Sequence, residues 1–310
     1  MRILILGGAG YIGSLLTPYM LEKGFEVTVV DNFMYRQNSL AAACYHPRFS
    51  VFNGDIRDRE LMKQLIAWAD VVIPLAALVG APLCAKDPYT ATAINHDATL
   101  ALIQMVSTQK WILMPTTNSA YGTGDKDHLC TENSPLQPIS HYAEAKVKVE
   151  QVLMQHPNAI SFRLATVFGM SPRMRTDLLV NDFVYRAVHD KAVLLFESHF
   201  KRNYIHIRDV CKVFLHGIVN FQKMKGQIFN VGLSSANLSK RKLCEYIQKH
   251  IPSFTFLDSS IGNDPDQRNY IVSNDKIEAT GFNPEVSLDD GIKELIKGYA
   301  MIRNSVYANV

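Results

Sequence analysis

The sequence has few of the features that mark secreted, metal-binding or nucleic-acid-binding proteins. Its 310 residues include only five cysteines, widely spaced and without a CxxC pair, so no disulfide framework is expected. A reduced, cytoplasmic setting is the simplest interpretation. The net charge is only +3, which gives no electrostatic footprint for nucleic acid. The ten histidines form no HxH or HExxH pattern, and no metal site is expected.

Long hydrophobic runs are also absent. The first apolar stretch, residues 3–6, ends at Gly7 and is too short for the apolar core of a signal peptide. The longest uncharged, mainly apolar stretch, residues 71–85, is interrupted by two prolines and a glycine, whereas a membrane-spanning helix needs about 20 apolar residues. We therefore expect a soluble protein with neither a leader nor a membrane anchor.

The first half of the sequence alternates short apolar runs with helical patterns. Continuous apolar strands between helices are typical of a parallel sheet with both faces covered. This predicts an α/β fold of the Rossmann type, a doubly wound parallel sheet. The expected strands are residues 2–6, 26–30, 49–52, 71–75, 111–115 and 160–164, and the expected helices are residues 11–23, 58–68, 92–107 and 142–155.

The second half alternates less regularly, which indicates a smaller lobe resting on the sheet. We predict a first domain over residues 1–168, to which the chain returns around residues 204–231, and a C-terminal lobe over residues 169–310. The expected elements are helices at 178–189, 238–250 and 288–301 and strands at 204–207 and 228–231.

A glycine-rich segment, GGAGYIG at residues 7–13, lies between the first strand and the first helix. Gly7 and Gly10 allow the backbone to approach a pyrophosphate closely, and Gly13 lets the helix pack against the strand. The helix N-terminus adds a partial positive charge. Asp31 ends the next strand, where a carboxylate bonds the adenosine ribose of NAD and repels the 2′-phosphate of NADP. NAD is the expected cofactor, and a glycine turn beside a capping aspartate is the alternative.

Tyr142 and Lys146 lie four residues apart on a predicted helix, so both side chains project from one face. A nearby ammonium favours the ionised phenol, which suits Tyr142 to general acid/base catalysis; a surface pair without function is the alternative. Thr117 follows the fifth predicted strand, at the edge where ligands bind. Its hydroxyl is expected to bridge substrate and phenol, with Thr116 and Ser119 as open alternatives.

Together these motifs resemble the extended short-chain dehydrogenase/reductase family, whose members modify nucleotide-linked sugars. The resemblance covers nearly the whole chain and implies that Thr117, Tyr142 and Lys146 are catalytic. The residues that it places at the NAD site are Gly7, Gly10, Tyr11, Ile12, Gly13, Asp31, Asn32, Asp55, Ile56, Leu75, Ala76, Ala77, Asn95, Tyr142 and Lys146.

The resemblance also implies that the C-terminal lobe binds a nucleotide-diphosphate sugar. The segment RNYIHIRD supplies Arg202, which matches the arginine that grips the substrate diphosphate, and DPDQRNY supplies Arg268 for a second phosphate contact. The residues expected at the substrate site are Thr117, Asn118, Ser119, Thr166, Arg173, Arg175, Arg202 and Arg268.

Three stretches, residues 77–84, 171–183 and 199–210, look closest to bacterial enzymes of surface-polysaccharide synthesis that oxidise C4 of a GDP-linked manno-heptose. Family 4,6-dehydratases carry Asp-Glu after the catalytic threonine, whereas Asn118 and Ser119 stand here, so dehydration is not expected. Thr166 replaces an asparagine that often touches phosphate in the family. Cys84, in a loop that could approach the sugar, is expected to be a buried structural thiol.

The resemblance thus implies that Tyr142 takes a proton from the sugar C4 hydroxyl while hydride passes to NAD. A 4-epimerase of the UDP-glucose type stays open, because no residue distinguishes the two reactions. A non-enzymatic dinucleotide sensor is a further alternative, against which the intact Tyr142 and Lys146 argue. Family members usually pair through two helices each, here residues 92–107 and 142–155, so a homodimer is expected.

Overall fold

The computed structural model describes residues 1–124, 128–259, 261–262 and 267–302. Its centre is a parallel sheet of seven strands, which confirms the predicted doubly wound Rossmann-type fold. The strands of this sheet, in spatial order, are β3 (Phe49–Asn53), β2 (Glu26–Asp31), β1 (Arg2–Leu6), β4 (Val71–Pro74), β5 (Trp111–Thr117), β6 (Ala159–Leu164) and β10 (Gln227–Val231).

Helices cover both faces of the sheet, because its central strands are apolar on both sides and are buried throughout. One face packs against α1 (Gly13–Glu22) and α8 (Ile207–Val219). The other face packs against α2 (Arg59–Trp68), α5 (Thr99–Met105) and α6 (His141–Leu153).

The remaining chain forms a smaller lobe with its own apolar core. Its helices are α7 (Leu179–His189), α10 (Lys240–His250) and α12 (Leu288–Tyr299). Its strands are β7 (Thr166–Phe168), β9 (Lys201–His206) and β11 (Asn237–Ser239), which pair together, and β8 (Ala192–Leu195) and β12 (Thr255–Asp258), which pair separately. The short helices of the whole chain are α3 (Ala81–Lys86), α4 (Pro88–Thr92), α9 (Phe221–Met224) and α11 (Asp275–Glu278).

Two predicted elements differ from the structure. The expected helix at 92–107 is divided: α4 ends at Thr92, a π-helical turn spans Ala93–Ala98, and α5 ends at Met105. The expected strand at 204–207 begins earlier, at Lys201, and pairs with β7 and β11 instead of the central sheet. It stops at His206, whose side chain caps α8 by accepting from the Arg208 amide at 3.2 Å.

Helix α8 itself is absent from the sequence-based prediction. It carries apolar residues at helical spacing, and Val210, Val213 and Phe214 pack into the core beneath the sheet. Helix α8 therefore packs against the central sheet, although it directly follows β9 of the smaller lobe. No helix among the residues described above has the length and apolar character needed to cross a membrane.

Candidate active site

A cavity of about 780 Å³ opens where the parallel strands end. The segments that follow β1 to β6 all line it, as expected for the carboxyl edge of an open α/β sheet. The smaller lobe supplies the opposite wall. All the predicted site residues except Asn95 and Asn118 line this cavity, so the fold brings together residues as far apart in sequence as Gly7 and Arg268.

The glycine loop forms a backbone cradle at one end of the cavity. Gly7 has a φ of 80°, and a Cβ there would lie 2.6 Å from the backbone nitrogen of Ala76. Gly13 begins α1, and a Cβ on it would lie 2.5 Å from the Gly8 Cα. Both positions therefore require glycine. A cradle with an uncovered helix N-terminus fits the pyrophosphate of a dinucleotide.

Two carboxylates, Asp31 at the end of β2 and Asp55 just after β3, line the cavity beside the glycine loop. Asp31 accepts from the amides of Ala9 (2.9 Å) and Phe33 (2.8 Å), which ties the end of β2 to the glycine loop. Burial raises the pKa of its carboxyl. Asp55 accepts two hydrogen bonds from the Arg57 guanidinium, both at 2.8 Å, which lower the pKa of Asp55 to about 2.

Tyr142 and Lys146 lie in the first two turns of α6, which begins where the Ser140 hydroxyl accepts from the Ala143 amide. Burial raises the pKa of the Tyr142 phenol to about 12, and the charges of Arg175 and Arg268 act in the opposite direction. Burial lowers the pKa of Lys146 to about 8. The positive charges that lower the pKa of the Tyr142 phenol thus come from Arg175 and Arg268 in the smaller lobe, whereas the sequence had indicated Lys146 for this role.

The threonine and serine hydroxyls near Tyr142 are already distinguished by their partners. Thr116 donates to the Glu150 carboxylate at 2.8 Å, so its hydroxyl is engaged by α6. Thr117 donates to the Ser119 hydroxyl at 3.0 Å. The Arg268 guanidinium donates to the same Ser119 oxygen. Thr117, Ser119 and Arg268 therefore form one chain of hydrogen bonds on the cavity wall.

A buried ion pair beneath α6 was not found from the sequence. Glu150, two turns after Tyr142, accepts from the Arg163 guanidinium on β6 at 2.6 Å and 3.0 Å, and both side chains are about 95% buried. Glu150 also accepts from Thr116 and from Ser161 (2.6 Å). This network ties the helix that carries Tyr142 to β5 and β6. The sequence feature that could have indicated this network is a glutamate, Glu150, four residues after Lys146 on the same predicted helix.

The cations of the cavity divide into two groups. Arg175 pairs with Asp177 at 2.5 Å, and Arg202 lies over the Tyr270 ring at 5.8 Å, both on the smaller-lobe side. Lys240, a cavity residue that the sequence analysis missed, begins α10 on the same side. Arg173 instead lies beside the β2 loop, with its guanidinium 3.9 Å from the centre of the Tyr35 ring.

Asn95 and Asn118 lie behind the cavity wall. Asn95 donates to the carbonyl and accepts from the amide of Leu78, both at 2.8 Å, so it holds the loop after β4. Asn118 is fully buried, and neither polar atom of its side-chain amide has a hydrogen-bond partner in the described chain. Cys84 is buried and donates to the Leu78 carbonyl, as expected of a structural thiol.

The chain matches the family model "NAD dependent epimerase/dehydratase family" over residues 3–232. It is 28% identical to the low-salt glycan biosynthesis protein Agl12 of Haloferax volcanii, covering 96% of this chain and 98% of the relative. It is also 28% identical to the UDP-glucose 4-epimerase of Streptococcus mutans, with coverages of 96% and 95%. The dTDP-glucose 4,6-dehydratase of Bacillus anthracis, solved with NAD, has the same fold at a TM-score of 0.82 and 21% identity, covering 99% and 98%.

A glycine cradle, a ribose-side carboxylate and a Tyr/Lys pair in one cleft define a nucleotide-dependent oxidoreductase. The chain belongs to the NAD-dependent epimerase/dehydratase family. It is therefore an enzyme that uses NAD and acts on a nucleotide sugar. This excludes the alternative of a non-enzymatic dinucleotide sensor.

Proposed function

We propose that the enzyme oxidises C4 of a nucleotide-diphosphate sugar to the 4-keto sugar. One observation carries the proposal: a single cavity joins the dinucleotide cradle to Tyr142, to Thr117 and to the cations of the smaller lobe. A diphosphate held by those cations would bring the sugar carbinol to the phenol, which lowers the entropic barrier to reaction.

Each side chain has a separate task. Tyr142, assisted by Thr117, takes the proton from the C4 hydroxyl, and the C4 hydrogen leaves as hydride. NAD, when bound, supplies the hydride acceptor and a positive charge that favours the phenolate. Lys146 holds the nicotinamide-side ribose. Arg202 and Arg268 bind the diphosphate, for which a planar guanidinium is suited because it donates hydrogen bonds in pairs.

A GDP-linked manno-heptose used for surface polysaccharide is the favoured substrate. The three stretches that resemble enzymes acting on that sugar, residues 77–84, 171–183 and 199–210, all contribute to the cavity wall. Their position on the cavity wall supports a role for part of these stretches in substrate choice. The relative named as a glycan biosynthesis protein is compatible with the same general role.

A nucleotide-sugar 4-epimerase is the second candidate. The alignment with the UDP-glucose 4-epimerase of Streptococcus mutans covers nearly the whole chain, at the same 28% identity as that with the Agl12 protein. In such a reaction the 4-keto sugar turns over and receives the hydride on its other face. Dehydration is less supported, because Asn118 is buried outside the cavity and Ser119 is bound to Arg268.

The test is a panel of GDP-, UDP-, CDP- and dTDP-sugars incubated with the enzyme and NAD, followed by absorbance at 340 nm and by NMR of the sugar. A 4-keto product with accumulating NADH supports the proposal. An inverted C4 without net NADH supports the epimerase. A 4-keto-6-deoxy product would overturn both.

We also propose that two copies pair through α6 and the helical segment 88–105, as the family resemblance implies. These two segments lie side by side on one face of the sheet. Light scattering after size-exclusion chromatography should give twice the chain mass of 34.8 kDa. A single-chain mass at micromolar concentration would refute the pairing.

A further inference from the structure

Arg173 was expected to bind the sugar diphosphate, but the structure holds it at the other end of the cavity. Its backbone amide donates to the Ser14 hydroxyl at 3.3 Å, and Ser14 lies in the first turn of α1 beside the glycine loop. Ser171, two residues earlier, donates to the Tyr11 carbonyl at 2.7 Å. The segment 171–173 is therefore fastened to the pyrophosphate cradle.

The Arg173 side chain continues toward the ribose end. It is only 1% exposed, and its guanidinium stacks on the Tyr35 ring at 3.9 Å. Its charge also acts on Asp31, where it opposes the burial that raises the pKa of that carboxyl. The Arg173 backbone is thus held beside the glycine cradle, while its guanidinium, which also donates to the Met174 carbonyl, lies at Tyr35 and acts on Asp31.

The loop that carries Tyr35 is held in an unusual backbone conformation. Phe33 and Arg36, on either side of Tyr35, have φ values of 49° and 52°. A residue with a side chain rarely adopts this left-handed region, because its Cβ crowds the backbone there. Residues 33–37 all line the cavity, so the strained loop faces the cofactor end.

We propose that Arg173 is a cofactor-binding residue that donates to the dinucleotide pyrophosphate, and that Tyr35 positions it. The stack joins the β2 loop to the segment after β7, and both side chains line the cavity. A guanidinium suits this task, because its face stacks on an aromatic ring while its edge donates to phosphate oxygens. Because the stacked guanidinium makes the pyrophosphate contact, losing the stack should speed the release of the dinucleotide.

The test measures NADH release, by stopped-flow fluorescence with excess NAD as the displacing ligand, in full-length protein. Arg173→Ala and Tyr35→Ala should each raise the release rate at least tenfold, and Tyr35→Phe, which keeps the ring, should stay within twofold. Binding of GDP and UDP, measured by calorimetry, should change less than twofold in all three. Arg241→Ala, at a guanidinium that pairs with Asp258 outside the cavity, is the control for NADH release and should leave it unchanged.

Two results would overturn the proposal. Weaker GDP or UDP binding with unchanged NADH release in Arg173→Ala would return this residue to the substrate site. Faster NADH release in Arg173→Ala but not in Tyr35→Ala would show that Tyr35 does not position Arg173. Arg173→Lys keeps the charge without the planar face, so release faster than in the native protein is expected even if the alanine variant fails to fold. The experiment uses no sugar substrate and is independent of the proposed C4 oxidation.

Discussion

The two ends of the cavity are built in different ways. The cofactor end is made by the short segments that follow β1 to β3, and its cradle consists of backbone atoms. The opposite end, which we propose binds the substrate and call the substrate end, is lined by side chains from separate segments of the smaller lobe, namely Arg175, Arg202, Lys240 and Arg268. A backbone cradle depends on glycine spacing within one loop, whereas a side-chain cluster depends on how distant segments pack. Helix α6 lies between the two and serves both.

The largest effect on turnover is expected for a substitution in α6, between the two ends of the cavity. Tyr142→Phe removes the proton acceptor and should lower kcat by about 10²- to 10⁴-fold. NADH binding should stay within a few-fold, because the cradle is backbone and lies apart from the phenol. Turnover of the active nucleotide sugar and NADH fluorescence titration measure the two quantities.

The matched control is Tyr45→Phe, at a tyrosine that is 84% exposed, which should change neither quantity. Near-native turnover of Tyr142→Phe would remove the phenol from the mechanism. A loss of NADH binding equal to the loss of turnover would show that the two ends are not separately built.

The same contrast explains what could be predicted from the sequence. The glycine cradle, Asp31 and the strands of the central sheet were accessible because each depends on local spacing or on an apolar run. The position of Arg173 was not accessible, because it depends on hydrogen bonds to Ser14 across the fold. Helix α8 was missed because β9 ends at His206, directly before the first residue of the helix. Lys240 was missed because nothing local distinguishes it from an exposed lysine.

Breaking the support of α6 should cost stability. Arg163→Met leaves the Glu150 carboxylate buried without its cation, which typically costs about 3–5 kcal/mol of unfolding free energy. Denaturant unfolding measures the loss. Arg2→Met removes an ion pair with Asp70 whose side chains are about 40% exposed, and should cost far less because solvent screens the pair. Equal losses in the two variants would mean that the buried pair does not hold the helix.

Lys146 should destabilise the cofactor-free protein at neutral pH. Its pKa of about 8 lies below the unfolded value of about 10.5, so between these values the unfolded chain binds more protons and stability rises with pH. Lys146→Met should therefore stabilise the protein below pH 8 by on the order of 3 kcal/mol. The gain should shrink as pH rises toward 10.5. Thermal unfolding across this range measures it, with the exposed Lys148→Met as control, and a gain that ignores pH would contradict the burial argument.

The smallest effect is expected for a substitution at the substrate end, and it should change binding of the nucleotide sugar without changing binding of NADH. Arg268→Ala removes a cation that is hydrogen-bonded to Ser119 and acts on Tyr142. Losing a charged hydrogen bond to a diphosphate costs about 1.5–3 kcal/mol, so KM for the nucleotide sugar should rise about ten- to a hundredfold. NADH affinity should be unchanged. Arg241→Ala, whose partly exposed side chain pairs with Asp258 outside the cavity, should alter neither. A parallel loss of NADH affinity in Arg268→Ala would mean that the two ends of the cavity are coupled through the hydrogen-bonded chain at Ser119.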